Sequence, residues 1–125
     1  MSNIKLEVYV DASVKNNVAG IGLVIKRNGK LYKELRTIVK KCSNIHKAEE
    51  MAIFRGIELI KKNGTSPKKC KIYTDCKSLV DKNKGIIEGI IIEWIPRELN
   101  EAHDQSVLGR RRKSSKKITI TQKGG

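Results

Sequence analysis

Acidic residues are scarce in this chain. Only 13 Asp+Glu stand against 27 Lys+Arg in 125 residues, a formal net charge of +14. That imbalance points to a polyanionic partner and makes the position of each acid informative. Long apolar runs are missing too: nothing approaches the roughly 18 consecutive apolar residues of a membrane span. The first residues, Met1-Ser2-Asn3-Ile4-Lys5, carry no long apolar segment of a secretory signal. Cysteine is limited to Cys42, Cys70 and Cys76, an odd number at irregular spacing with no Cys-x-x-Cys pair. This argues against a disulfide framework and a structural zinc site. Free thiols suit a reducing cytosol, so a cytoplasmic location is expected. The length suits one domain, and no internal repeat is present.

What is abundant is positive charge, and it is unevenly spread. Residues 110–125 hold Arg110, Arg111, Arg112, Lys113, Lys116, Lys117 and Lys123 and no acid. A terminal block of like charge is expected to be flexible and to bind polyanions. The chain therefore divides into a globular domain over residues 1–109 and a basic, flexible tail over residues 110–125. The tail lacks the amphipathic pattern of a membrane-surface helix, which favours nucleic acid as its partner. Within it, Ile118-Thr119-Ile120-Thr121 has the pattern of a short strand formed on contact.

Residues 4–10 alternate strictly, as a strand with one buried face does; Asp11-Ala12-Ser13 ends it, and residues 14–18 form a loop. Residues 19–27 form a second strand, whose two glycines signal close approach by a neighbour. Asn28-Gly29 is a hairpin turn, and residues 30–41 return as a third strand. Ser43 or Asn44 caps a helix in which Ile45, Ala48, Ala52, Gly56, Leu59 and Ile60 recur at helical spacing. Gly64 and Pro67 end it. Residues 70–74 form a strand that halts at Asp75, and a short helix covers residues 77–83. Residues 90–95 read as a strand buried on both faces, with Trp94 in the core. Asn100 caps a last helix running towards Arg112. This order predicts an α/β fold: a five-stranded mixed sheet, three antiparallel strands plus two parallel crossover strands, with about three helices on its faces.

Four acids are oddly placed for solvated charge. Asp11 and Asp75 each follow a strand, and Glu49 lies on or beside the apolar face of the long helix. Asp104 is near the start of the last helix. In open α/β sheets the crevice at the carboxyl ends of strands is where ligands bind. Clustered carboxylates repel and raise one another's pKa values unless a cation joins them. Hard oxygen donors point to Mg²⁺ or Mn²⁺ rather than zinc. Two such ions suit displacement at phosphorus. Taken singly, Asp11 reads equally well as a turn residue, Asp75 as a helix cap and Glu49 as a complement to a helix N-terminus.

Four motifs give these acids a common frame. They are Val8-Tyr9-Val10-Asp11-Ala12-Ser13, His46-Lys47-Ala48-Glu49-Glu50-Met51-Ala52, Ile72-Tyr73-Thr74-Asp75-Cys76, and Trp94-Ile95-Pro96-Arg97-Glu98-Leu99-Asn100-Glu101-Ala102-His103-Asp104. In order and spacing the sequence resembles the ribonuclease H type 1 family, including the ribonuclease H domains of reverse transcriptases, over about residues 5–109. The resemblance implies an endonuclease that cuts the RNA strand of RNA/DNA hybrids with two Mg²⁺ or Mn²⁺ ions, leaving 5′-phosphate and 3′-hydroxyl ends. It implies that Asp11 bridges both ions, Asp104 helps hold the one that activates water, and Glu49 and Asp75 hold the other. Ser13, Asn16, Asn17, Asn44, His46, Cys76, Lys77 and Arg97 are the candidate nucleic-acid contacts. For Arg97 a structural pairing with Glu98 or Glu101 is preferred. A monomer is expected.

Some features depart from the family pattern. Cys76 stands where a Ser is usual, and Asn44-Ile45-His46 replaces the usual polar pair before the helix Glu. No His occurs in residues 96–100, and a basic helix-loop insertion is absent. His103 adjoins Asp104 at an inward helix position, where packing is the expected role. The last helix, which carries Asp104, is poor in core residues. The weak last helix and the basic balance also suit a second reading, a nucleic-acid-binding module of this fold with weak or no catalysis.

Overall fold

Alternation carries the first strand further than Asp11. In the computed structural model, which describes residues 4–111 and 119–121 with side chains to Val107, β1 spans Leu6–Lys15. Leu6, Val8, Val10 and Ala12 are buried along one face. Asp11 thus lies inside the strand rather than at its end. The residues expected to form a loop are instead a tight hairpin, with Asn16 and Asn17 both at positive φ (52° and 63°). Asn tolerates the left-handed region, and two such residues in succession give the turn whose twist matches paired strands. β2 (Val18–Arg27) and β3 (Lys30–Lys40) complete an antiparallel meander, joined at Asn28-Gly29.

Helix α1 (Ile45–Asn63) starts where Asn44 accepts the backbone N–H of Lys47 through Oδ1 at 3.0 Å. It stops at Gly64, in the left-handed region at φ 76°. Its buried stripe is Ala48, Glu49, Ala52, Ile53, Gly56, Ile57 and Ile60, so one carboxylate rides on an otherwise apolar face. The stripe packs on β1, with a Cβ at Gly56 falling only 3.2 Å from Val10 Cγ1. After α1 come β4 (Cys70–Thr74), α2 (Lys77–Lys82), β5 (Ile86–Ile87), β6 (Ile90–Trp94), α3 (His103–Arg111) and β7 (Thr119–Thr121). Two short 3₁₀ turns, Pro67–Lys69 and Arg97–Leu99, precede β4 and α3.

The sheet order is β5-β6-β4-β1-β2-β3-β7, with β1, β4 and β6 mutually parallel and the other pairs antiparallel. The mixed five-stranded core is as expected, and two short edge strands extend it. β5 forms because Glu88 and Gly89, at φ 51° and 84°, close a tight hairpin onto β6. β7 adds to the free edge of β3, Glu34 facing Thr121. The boundary expected at Gly109 falls within α3; residues 112–118 and 122–125 of the expected tail lie outside the described residues.

The last core strand is not buried on both faces. Ile90 and Ile92 are buried, while Ile91 and Trp94 are 43% and 44% exposed. The reason is the position of α3, which packs on β1, β2 and β3 rather than over β4 and β6. Among the described residues, no helix is long and apolar enough to cross a membrane.

Candidate active site

The parallel pairing of β1 and β4 runs from Leu6↔Cys70 to Tyr9↔Tyr73 and stops there. Beyond it β1 continues beside β2, whereas β4 turns away into α2. The N–H of Cys76 donates to Thr74 Oγ1 at 3.1 Å, tightening that turn. Asp11 and Asp75 each lie two residues past the last pair, on the two sides of the gap that opens. Glu49 reaches the same gap from the first turns of α1. One carboxylate oxygen from each of the three lies within 4.8 Å of the others.

Burial sharpens this grouping. Asp11 and Glu49 are only 2% and 6% exposed, and the Asp75 side chain is 6% exposed. Among the described residues, Glu49 Oε1 and Asp75 Oδ2 are both buried without a hydrogen-bond partner. Desolvation, and then the charges of Asp11 and Asp75, push Glu49 up to about 8. Arg97 and the backbone of Ala12 offset this in part. Asp75 is raised from its ordinary value by burial and by Asp11, against Arg97, Asn100 and His103. Buried acceptors of this kind require a partner, and three convergent carboxylates suit a hard divalent cation. The residues present therefore fit the metal that the sequence pattern implies.

Helix α3 closes the other side of Asp11. The buried Asn100 donates from Nδ2 to the Val10 carbonyl at 2.9 Å and accepts the Ala102 N–H through Oδ1 at 3.1 Å. The start of α3 is thereby tied to the strand that carries Asp11. Ser106 Oγ donates to Asp11 Oδ2 at 2.9 Å, and His103 Nδ1 lies 3.0 Å from the same oxygen. Asp104, expected as the fourth acid, is exposed and is not part of the carboxylate group. One step along an α-helix turns a side chain by about 100°, so with His103 facing Asp11 its neighbour faces away. Asp104 lines instead a cleft of about 510 Å³ with Arg97, Glu98, Asn100, Glu101 and His103. His103 and Ser106 are the site residues that the sequence pattern does not single out: the inward helix position of His103 suits packing, and Ser106 carries no signal.

The other candidates spread around this centre. Arg97 does not pair with Glu98 or Glu101: its Nε stands 3.8 Å from Asp75 Oδ2. Trp94 is outside the core, and its indole N–H donates to the Asp75 carbonyl at 3.2 Å. Ser13 Oγ donates to the Ser106 carbonyl at 3.2 Å. Cys76 is partly buried, with Sγ 3.6 Å from Ser78 Oγ. Lys77 opens α2 and His46 lies in the first turn of α1, both exposed; Asn44 caps α1; Asn16 and Asn17 form an exposed turn tip.

Among solved structures, the chain is similar to LC11-RNase H1 in complex with an RNA/DNA hybrid, a protein isolated from compost by a metagenomic approach. The identity is 19% over 89% of this chain and 100% of that one, with a TM-score of 0.76. RNase H1 from the halophilic archaeon Halobacterium salinarum gives 16% identity over 83% and 96% of the two chains, TM-score 0.68. LC9-RNase H1, described as a type 1 RNase H with the type 2 active-site motif, gives 15% over 97% and 79%, TM-score 0.72. These likenesses show a ribonuclease H fold. No curated protein matches the chain in sequence. The model of the reverse transcriptase-like family matches residues 9–90, from the strand bearing Asp11 to the start of β6, and the chain belongs to that ribonuclease H-like family.

Proposed function

We propose that this protein is a metal-dependent endonuclease that hydrolyses the RNA strand of RNA/DNA hybrids, leaving 5′-phosphate and 3′-hydroxyl ends. The observation that carries the reading is the buried trio Asp11, Glu49 and Asp75, gathered where two parallel strands separate. The charge of the whole chain, +14, supports a polyanionic substrate. Bound there, Mg²⁺ or Mn²⁺, two ions per site, would supply a water nucleophile and countercharge for the leaving oxygen. Asp11 has Glu49 and Asp75 on one side and α3 on the other, so it is placed to be shared between two ions. Asp75 and Glu49 would hold one of them. Exposed Lys77 and Arg97 lie beside the trio, where phosphates on either side of the scissile bond would pass. Selection for RNA would rest on contacts to the 2′-hydroxyl across the shallow minor groove; Asn16, Asn17 and His46 are exposed and available for it. The free thiols of Cys42, Cys70 and Cys76 support a reducing, cytoplasmic setting.

The test is cleavage of an end-labelled hybrid with Mg²⁺ or Mn²⁺ by the wild type and by Asp11→Asn and Asp75→Asn. Losing a metal contact worth several kcal/mol lowers the rate at least about a hundredfold. Cleavage that survives in both variants would overturn this site. The exposed position of Asp104 favours a second reading, a hybrid-binding module with weak or no catalysis. Tight binding without cleavage in either metal would select it.

A further inference from the structure

We infer that His103, not Asp104, is the fourth ligand of the acidic centre, and that it makes the site prefer manganese to magnesium; the inference rests on the nuclease reading above. The first argument is register. The Asn100 bonds to Val10 and Ala102 fix where α3 begins, and the Ser13 hydroxyl on the Ser106 carbonyl fixes its next turn. Between these ties the helix backbone lies against Gly22 of β2. A Cβ there would fall 2.4 Å from Ser106 N and 2.6 Å from the Ala102 carbonyl oxygen. Bringing Asp104 to Asp11 would need a rotation of about 100°, and contact that close leaves no room for it. His103 is therefore the residue of this pair that α3 delivers to Asp11.

The second argument is geometry. Two adjacent ligands on an octahedral ion, each about 2.1 Å from it, stand about 3 Å apart. His103 Nδ1 and Asp11 Oδ2 are 3.0 Å apart. The same spacing suits a hydrogen bond between them, with His103 acting only as an orienting partner of a ligating carboxylate. The two roles predict different metal chemistry. Carboxylates suit Mg²⁺ and Mn²⁺ alike, while an imidazole nitrogen adds affinity for transition metals and little for Mg²⁺. His103 lies outside the trio that converges within 4.8 Å, so it would serve an ion held by Asp11 on the α3 side, and a carboxylate with an imidazole tunes that position towards Mn²⁺.

Titration of the metal-free protein with Mn²⁺ and with Mg²⁺ tests this, together with pulsed EPR of the Mn²⁺-loaded form. The expected wild-type spectrum shows a nitrogen coordinated to Mn²⁺. That signal persists in Asp104→Asn and in His46→Ala and vanishes in His103→Ala. His103→Ala weakens Mn²⁺ at least about tenfold and Mg²⁺ far less, and His103→Asp restores binding with the preference for Mn²⁺ reduced. Circular dichroism checks that each variant is folded. A wild-type spectrum without coordinated nitrogen, while Asp75→Asn still abolishes binding, overturns the inference and leaves the nuclease site standing. Binding unaffected by Asp75→Asn takes both down.

Discussion

At the scale of single residues, the centre is built from groups that are unfavourable alone. Glu49 is the extreme case: burial and two neighbouring acids raise it from 4.5 to about 8. Between those values the folded protein keeps a proton that the unfolded chain has lost. Stability of the metal-free protein therefore falls as pH rises from about 4.5 through 8. Asp75 is raised too and acts in the same direction. A divalent cation needs the ionised carboxylate, so binding at pH 7 releases close to one proton from Glu49. Calorimetry in two buffers of different ionisation enthalpy should show that release in the wild type and its loss in Glu49→Gln. Melting in EDTA from pH 5 to 9 should show a decline that Glu49→Gln flattens. A pH-independent melting temperature in the wild type would mean that Glu49 is not strained by its surroundings. Glu49 was legible in the sequence because an acid between Ala48 and Ala52 interrupts an apolar stripe. His103 was not: its helix has too few apolar residues to set its phase, and one residue of phase exchanges His103 for Asp104.

At the scale of elements, the site depends on how closely α3 approaches the sheet. Gly22 marks that approach, and the paired glycines of β2 had signalled it. Gly22→Ala would push a methyl into backbone atoms at 2.4 and 2.6 Å and into Gln105 Cβ at 2.7 Å. Overpacking against backbone costs at the top of the usual range, about 3 kcal/mol, or about 10 °C in Tm for a chain of this size. Because α3 carries His103 and Ser106, metal affinity should fall as well. Gly29→Ala is the contrast: φ is +80° with nothing within 4 Å, so only the left-handed backbone costs, about 1 kcal/mol. Equal losses in the two variants, or a Gly22→Ala protein that binds metal normally, would show that α3 is not held as described. The long strand β1 was harder to foresee. An acid after an alternating run looks like a terminus, whereas here the pairing with β2 runs on past it to Lys15↔Val18, and its carboxylate meets Ser106 and His103 of α3.

At the scale of the whole molecule, the scarcity of acid acquires a spatial meaning. Three of the 13 acids are withdrawn into the centre. Others lie within ion-pair distance of lysines, as in Lys26–Glu101 at 2.7 Å and Lys71–Glu93 at 3.0 Å. The remaining surface is strongly positive, and the C-terminal residues add Lys113, Lys116, Lys117 and Lys123 beyond α3. We take these as a tether that holds the nucleic acid by its phosphates while the folded domain positions it. Each phosphate contact releases counterions, so the logarithm of affinity falls with the logarithm of salt by up to about 0.9 per contact on duplex DNA. Changing these four lysines to Gln keeps the chain length and the β7 residues. In a non-cleaving Asp11→Asn background, anisotropy with a labelled hybrid between about 50 and 200 mM salt should then show a slope reduced by about 2 to 4. Arg97→Gln, beside the trio, should lower it by about one more and at the same time weaken the hybrid's grip at the cleavage site. A slope unchanged by the four substitutions would reduce the tail to a solvated appendage and assign the phosphate contacts to the folded domain alone.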